Sequence, residues 1–313
     1  MSARTAAAPA QAAHWTPEDI GDLTGRTALI TGGNGGIGLE TARVLARHHA
    51  RVILAGRDQR KLDEAVAGLR AGQPDALLDT TVIDLGSLES IAAATSRLAR
   101  SEAIDLLLNN AGVMNVRDRR TTADGFELTF GTNHLGHFAL TAGLMPALRR
   151  SPAARIVTVS AIAASWRRGR LDDLMSERRY RGMRAYAKSK RANVVFTQEL
   201  ARRLPGTGIT AVAVHPGSAL TNLQRHSQGP LSRIVIAVTR NVAMGSPEGA
   251  AWPSLYAATS PDVVNGGFYG PAGRDQTSGT PKRVPLPRGA RDPAEGARLW
   301  ADSERLTGIR FAI

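Results

Sequence analysis

Thr31-Gly32-Gly33-Asn34-Gly35-Gly36-Ile37-Gly38 is the stretch that decides the fold. It closes an apolar run over 27–31 and opens a helical pattern over 37–49. Glycines alone are weak evidence, but between a strand and a helix they read as a loop for a dinucleotide pyrophosphate. Gly32 permits the tight turn. Gly36 and Gly38 let the backbone approach the phosphates and the helix pack closely on the sheet. The helix N-terminus adds N–H groups and the positive end of its dipole. Asn34 and Ile37 complete the expected loop set. The competing reading is a glycine-rich turn that holds nothing.

Outward from this loop, further short apolar runs lie at 51–55, 80–83, 104–108, 155–159 and 209–214. Their composition is that of strands buried on both faces. Helical patterns fall near 59–71, 87–100, 125–150 and 185–204. The alternation predicts a doubly wound α/β domain, a parallel sheet with helices on both faces. No composition break marks a second domain. Residues 1–14 read as a disordered tail, and Thr16-Pro17-Glu18-Asp19 as a short capped helix. The catalytic domain is expected over 15–270. Residues 271–313 should form a C-terminal loop and helix packed on it. There, 270–291 reads mostly as loop, and Asp292-Pro293-Ala294-Glu295 as an N-cap, first-turn proline and capping glutamate.

The chain has 313 residues, of which 42% are hydrophobic and 21% charged. This rules out a wholly disordered chain. No apolar run reaches the ~18 residues of a membrane span, so no transmembrane segment is expected. Cysteine is absent, which excludes thiolate nucleophiles, iron–sulfur clusters and cysteine-held zinc. No metal site is expected. The net charge is +13, carried almost wholly by arginine. It reads either as a solvated cationic surface or as steering of anionic partners. A nucleic-acid partner through the dense 167–191 stretch is a rival reading, and none is expected.

The second strand ends Leu54-Ala55-Gly56-Arg57-Asp58. An acid at that strand end would accept from a ribose 2′-hydroxyl, but Gly56 stands there. Arg57 offers a charge-assisted contact to a 2′-phosphate, which points to NADP(H), with NADPH preferred over NADH. Asp58 competes as a ribose ligand or as the cap of the next helix.

The loop spacing, TGxxxGIG, resembles the short-chain dehydrogenase/reductase superfamily, and later motifs follow in its order. The resemblance covers about residues 24–270 and implies a Rossmann-type, mostly parallel seven-stranded sheet. It implies that Asp84-Leu85 meets the adenine, although Asp84 also suits a helix start. It places Asn110, Ala111 and Gly112, from the sequence Asn109-Asn110-Ala111-Gly112, beside the cofactor. Pro216 and Gly217 redirect the chain over the nicotinamide, and Thr221 contacts the carboxamide or pyrophosphate. Residues 218–245 are then a lid whose apolar face favours a lipophilic substrate, the alternative being ordinary core packing.

Tyr186-Ala187-Lys188-Ser189-Lys190 is YxxxK. Four-residue spacing puts Tyr186 and Lys190 on one helical face and sends Lys188 elsewhere. A nearby ammonium favours tyrosinate, and lowering a phenol by ~3 units needs ~4 kcal/mol. By itself the pair reads better as a chance surface pair, and its value comes from its place after the fifth strand at the start of a long helix. Ser160 ends the fifth strand, where it is either a cap or a donor to the substrate oxygen. The resemblance implies that Tyr186 is the general acid/base, Ser160 steadies the oxygen, and Lys190 binds the nicotinamide ribose and tunes Tyr186. It implies also that Asn133 kinks its helix and anchors a water. His134 and His137 read as packing residues.

Ser160 and Tyr186 stand further apart than is usual in this superfamily, and position 188 departs from the usual YxxSK run. The inserted residues, followed by SKxAN, are similar to retinol dehydrogenase-like and protochlorophyllide reductase-like members. The light-driven members use a cysteine, so a dark dehydrogenase/reductase acting on a small carbonyl or alcohol is expected. A non-catalytic NADP-binding regulator is the alternative. A cytoplasmic protein is expected, as a homodimer or homotetramer. The substrate is not legible.

Overall fold

Thr27–Thr31 forms β1, and every one of its residues is buried. The structure is a computed structural model that describes residues 14–101, 103–166, 171–217 and 247–313. β2 (Arg51–Gly56), β4 (Leu106–Asn109), β5 (Arg155–Val159) and β6 (Thr210–Val214) are similarly apolar and buried along most of their lengths. Successive side chains of a strand point to opposite faces. Leu29, Ile53, Leu107 and Ile156 accordingly enter one core, while Ala28, Ile30, Val52, Leu54 and Leu108 enter the other. The first core is closed by α3 (Leu88–Ser101), α5 (Gly136–Leu148), α6 (Gly182–Arg203) and α8 (Pro293–Thr307). The second is closed by α1 (Gly36–Arg47), α2 (Gln59–Gly72) and α7 (Pro247–Thr259).

Among the described residues the sheet has eight strands in the order β3-β2-β1-β4-β5-β6-β7-β8. All neighbours pair in parallel except β7 (Phe268–Pro271) with β8 (Pro281–Arg283). The order reverses direction between β1 and β4. The C-terminal ends of those strands flank a switch-point crevice, where open α/β sheets bind ligands. The eighth strand corrects the expectation of seven and lies inside 270–291, read as loop. It is a three-residue edge strand with exposed Lys282 and Arg283, so no apolar alternation announces it. Backbone bonds from Ala272 to Thr280 (2.7 Å) and Gly273 to Ser278 (2.8 Å) close its hairpin. β3 (Leu78–Val82) is only partly buried, because it is the other edge.

The helix expected over 125–150 is broken. Gly125 (φ +84°) turns the chain, and the Glu127 carboxylate accepts from the N–H groups of Thr129 and Phe130, both at 2.8 Å. α4 (Leu128–Phe130) then passes through a π-turn, Gly131–Leu135, into α5. At the C-terminal helix, Asp292 caps Ala294 N–H (2.9 Å) and Gly308 ends α8 at φ +69°, as expected. Glu295 does not cap. It is buried, accepts from Leu171 N–H at 2.6 Å, and pairs with the equally buried Arg191 at 2.8 Å. Among the described residues no helix is long and apolar enough to cross a membrane.

Removing one partner of a buried ion pair leaves the other charge desolvated, at a cost of about 3–5 kcal/mol. Glu295→Ala is expected to lower unfolding free energy by about that much in urea. Glu295→Gln, which keeps an acceptor for Leu171, should lose less. A loss from Glu295→Ala below about 1 kcal/mol would place the pair in the class of exposed bridges.

Candidate active site

Gly32 adopts φ +67° at the end of β1, where its N–H reaches back to the Ala55 carbonyl of β2 (2.8 Å). A methyl group on Gly38 would stand 2.4 Å from the Gly32 carbonyl and 2.6 Å from Asn110 Nδ2. Only glycine lets α1 start this close to the strand ends. Asn110 ties the loop after β4 to β1, donating Nδ2–H to the Thr31 carbonyl (2.8 Å) and its N–H to Thr31 Oγ1 (2.9 Å). Among the described residues no side chain caps α1, and its first turn holds no acid. By contrast, Asp58 caps α2 through Lys61 N–H (3.2 Å). The open end of α1 therefore presents N–H groups and its positive dipole at the switch point.

Arg57 is exposed just beyond β2, and among the described residues no side chain pairs with it. Asn34 lies over Gly56; a methyl group there would stand 3.1 Å from Asn34 Oδ1. Asp84 uses Oδ1 to hold Gly86 N–H at 2.8 Å, so it shapes the turn before α3. Leu85 is buried against Gly136 at the start of α5.

Tyr186 lies in the second turn of α6, 8% exposed. Its neighbours are Ala161, Ala163 and Ala187, with Met114 and Met183 half-buried around them. Lys190 Nζ lies 5.9 Å from the centre of the Tyr186 ring and donates to the Val159 carbonyl of β5 (2.9 Å). A methyl group on Gly112 would stand 3.1 Å from Asn133 Oδ1 and 3.4 Å from Lys190 Nζ. Gly112, Asn133, Tyr186 and Lys190 are thus brought to one place. Ser160 is held against the same helix, since its hydroxyl donates to the Lys190 main-chain carbonyl (2.7 Å).

Two details differ from the sequence reading. Burial pushes the Tyr186 phenol up rather than down, and lowers Lys190 to about 8. Desolvation of each group outweighs their mutual effect, because the ammonium is directed at Val159 rather than at the phenol oxygen. Ser160 spends its proton on α6 rather than holding it towards Tyr186. Asn133 sits in the π-turn, as a kink requires. Its amide binds both backbone groups of Val113 (2.8 and 3.0 Å) and Ser189 Oγ (2.9 Å), and its carbonyl accepts from His137 Nδ1 (3.0 Å). The side-chain amide is thus tied to Val113 and Ser189, and the main-chain carbonyl to His137.

His137 also meets Thr31 Oγ1 (2.9 Å), while His134 meets Ser303 Oγ (2.9 Å) amid Phe130, Phe138 and Phe196. Burial lowers them to about 4 and about 3, so both rings are neutral. The sequence reading missed His215, at the end of β6. Its Nε2 meets Gln276 Oε1 (2.9 Å), and burial lowers it to about 4. It lines a cavity of about 340 Å³ with Ile162, Ser165, Phe268, Gln276 and Arg288. Its place directly before Pro216-Gly217 was the available signal. Thr221, the lid at 218–245, and Arg167 and Arg168 lie outside the described residues. In the remaining arginine-rich stretch, Arg178 pairs with Asp172 (3.3 Å), and Arg191 is buried on Glu295.

A glycine loop at a switch point, with a tyrosine and a lysine one turn apart on the helix after β5, defines a dinucleotide-dependent dehydrogenase of the single-sheet kind. The family model described as short chain dehydrogenase matches residues 26–230, and the chain belongs to that family. It is 39% identical to human (Homo sapiens) retinol dehydrogenase 13 over 92% of this chain and 86% of that protein. It is 40% identical to mouse (Mus musculus) retinol dehydrogenase 14 over 93% and 88%. A crystal structure of an uncharacterised protein from Mycobacterium Paratuberculosis is 38% identical. It covers 96% of this chain and 100% of its own, with a TM-score of 0.79. An NAD(P)-dependent gluconate 5-dehydrogenase from Beutenbergia cavernae, solved with bound NADP, gives a TM-score of 0.64 at 26% identity, over 79% and 95%. The chain is therefore an oxidoreductase of the retinol dehydrogenase-like branch, in a family that uses NAD(P) on small molecules.

Proposed function

We propose that this protein transfers a hydride between NADP(H) and a lipophilic carbonyl or alcohol, with Tyr186 exchanging the proton. The observation that carries the proposal is the buried Tyr186 phenol and Lys190 ammonium beside the Gly112 cradle, at the crevice where α1 opens. The residues present fit the dinucleotide. The uncapped α1 end, with Gly32, Asn34, Gly36, Ile37 and Gly38, would take the pyrophosphate. Arg57 would take the 2′-phosphate, since Gly56 leaves no acid to repel it and Asp58 is occupied as a cap. Asp84 and Leu85 would flank the adenine. Asn110, Ala111 and Gly112 would face one side of the cofactor, and Pro216 and Gly217 the other. When bound, the nicotinamide supplies or accepts the hydride.

Burial acts on both titratable groups of the site. A phenol kept neutral by burial is a donor, as carbonyl reduction requires. Lys190, lowered to about 8, remains mostly an ammonium at neutral pH and would bind the nicotinamide ribose. Ser160 would steady the substrate oxygen by turning its hydroxyl from the Lys190 carbonyl. Asn133 would act by holding Val113 and α6 in register around the site. Met114, Met183 and Ala161 give the phenol an apolar, adaptable border, which supports a lipophilic substrate.

Tyr186→Phe keeps the packing and removes the proton. Turnover should fall by about 10²–10⁴-fold with NADPH binding retained; wild-type-like turnover would refute the assignment. Arg57→Ala should weaken NADPH by about 10–100-fold in fluorescence titration and leave NADH nearly unchanged, whereas equal losses would remove the 2′-phosphate argument. The lysine sign is also fixed. Below about 8 Lys190 is charged and can donate to ribose, and above it the charge is lost. NADPH affinity should therefore decline as pH rises through that region, and Lys190→Met should abolish the dependence.

A further inference from the structure

Lys188 faces away from Tyr186 and Lys190 and is 4% exposed. Its ammonium donates to the Asp173 main-chain carbonyl and to Ser176 Oγ (3.0 Å), itself 3% exposed. Both partners belong to the inserted segment between Ser160 and Tyr186. Both also sit in the left-handed region, Asp173 at φ 44° and Ser176 at φ 51°. Non-glycine residues are uncommon in this region and hold it where the surroundings over-determine them. The turn also binds itself: Ser176 N–H donates to the Asp173 carbonyl (2.9 Å), and Asp173 Oδ1 accepts from Glu177 N–H (2.8 Å). One carbonyl thus receives both the turn's own N–H and the buried ammonium.

The segment leads directly to the border of the candidate site. Arg119 Nε donates to the Met175 carbonyl (3.1 Å), and Tyr180 Oη donates to the Val116 carbonyl (2.7 Å). Gly182 lies so close to Val116 that a methyl group there would stand 2.4 Å from its carbonyl. The two strings of residues joined in this way, 114–116 and 180–183, carry Met114 and Met183. These are the side chains packed against the Tyr186 cluster.

We infer that Lys188 is a positioning residue for substrate specificity. Its buried ammonium locks the 173–178 turn, and through it the Met114–Met183 wall of the site. The inference rests on the oxidoreductase reading for its kinetic consequence only; the lock itself is a property of the folded chain.

The test uses Lys188→Met in the full chain, which keeps length and apolar stem but removes the donors. Amide exchange over 173–178 should accelerate about tenfold or more, with exchange in the β-sheet unchanged. With NADPH as reductant, KM for a bulky apolar aldehyde (citral) should rise about five- to tenfold, while kcat and KM for propanal and NADPH affinity stay unchanged. A purely stabilising lysine would move neither the KM ratio nor its split from kcat. Lys188→Arg, which keeps donors, should restore part of the citral KM. If Lys188→Met fails to fold, Ser176→Ala removes one partner of the ammonium and should give the same changes at smaller size. Unchanged exchange at 173–178 would overturn the lock. Faster exchange with an unchanged citral-to-propanal ratio would overturn the specificity role. If the wild-type protein turns over neither aldehyde, the specificity role falls together with the proposed NADPH-dependent carbonyl reduction, and exchange alone then judges the lock.

Discussion

Three cations, Lys188, Lys190 and Arg191, are buried within one turn of α6, at 4%, 2% and 1% exposure. Charges in a low-dielectric interior are tolerated only where partners surround them. Each therefore dictates what must pack beside it. Because a helix turns about 100° per residue, the three point in different directions. Lys188 reaches the inserted segment, Lys190 the end of β5, and Arg191 the first turn of α8. One turn of helix is fastened to three separate elements. Tyr186 stands one turn before Lys190, so its position is fixed by bonds it does not make.

The same burial governs the chemistry. Withdrawing the phenol from water raises its affinity for a proton, and withdrawing the amine lowers its own. The two groups, close in acidity when in water, are pushed apart, so that the phenol keeps its proton while the ammonium becomes the readier donor. The sheet contributes through Val159, whose carbonyl aims the ammonium, and whose neighbour Ser160 grips the helix from the same strand end. The loop after β4 adds Gly112, small enough to let Asn133 and Lys190 approach. Strand ends supply backbone dipoles at fixed positions, and the helix supplies the titratable groups.

The parts legible in the sequence are those written by local rules. A strand, a glycine turn and a helix occupy neighbouring positions in the chain, and YxxxK needs only helical geometry. The α/β alternation and the N-cap of the last helix at Asp292 follow from spacing alone, and the structure selects the cap from the two readings of Asp58. What escaped reading depends on contacts distant in sequence. Glu295 has the pattern of a capping residue, yet its partners Leu171 and Arg191 lie more than a hundred positions away. Lys188 looks like a solvated lysine until the insertion folds over it. β8 is too short and too polar to show a period. The π-turn at Gly131–Leu135 arises because the Asn133 amide takes up the backbone of Val113, a pairing no helical periodicity contains.

This division has a physical consequence for specificity. Proton exchange needs atoms held to fractions of an ångström, and those atoms sit on α6 and the ends of β4 and β5, inside two continuous cores. The wall proposed to meet the substrate comes from segments 114–116 and 171–183, which have little core of their own. They keep their shape through a few polar clamps: Tyr180 on Val116, Arg119 on Met175, Glu295 on Leu171 and Lys188 on the 173–178 turn. A clamp of one or two hydrogen bonds can be altered by a single substitution without disturbing the cores. Substrate range can therefore drift while the reaction stays fixed. The same asymmetry explains why the reaction class is readable from short motifs, whereas the substrate is encoded in pairings between residues far apart in the chain.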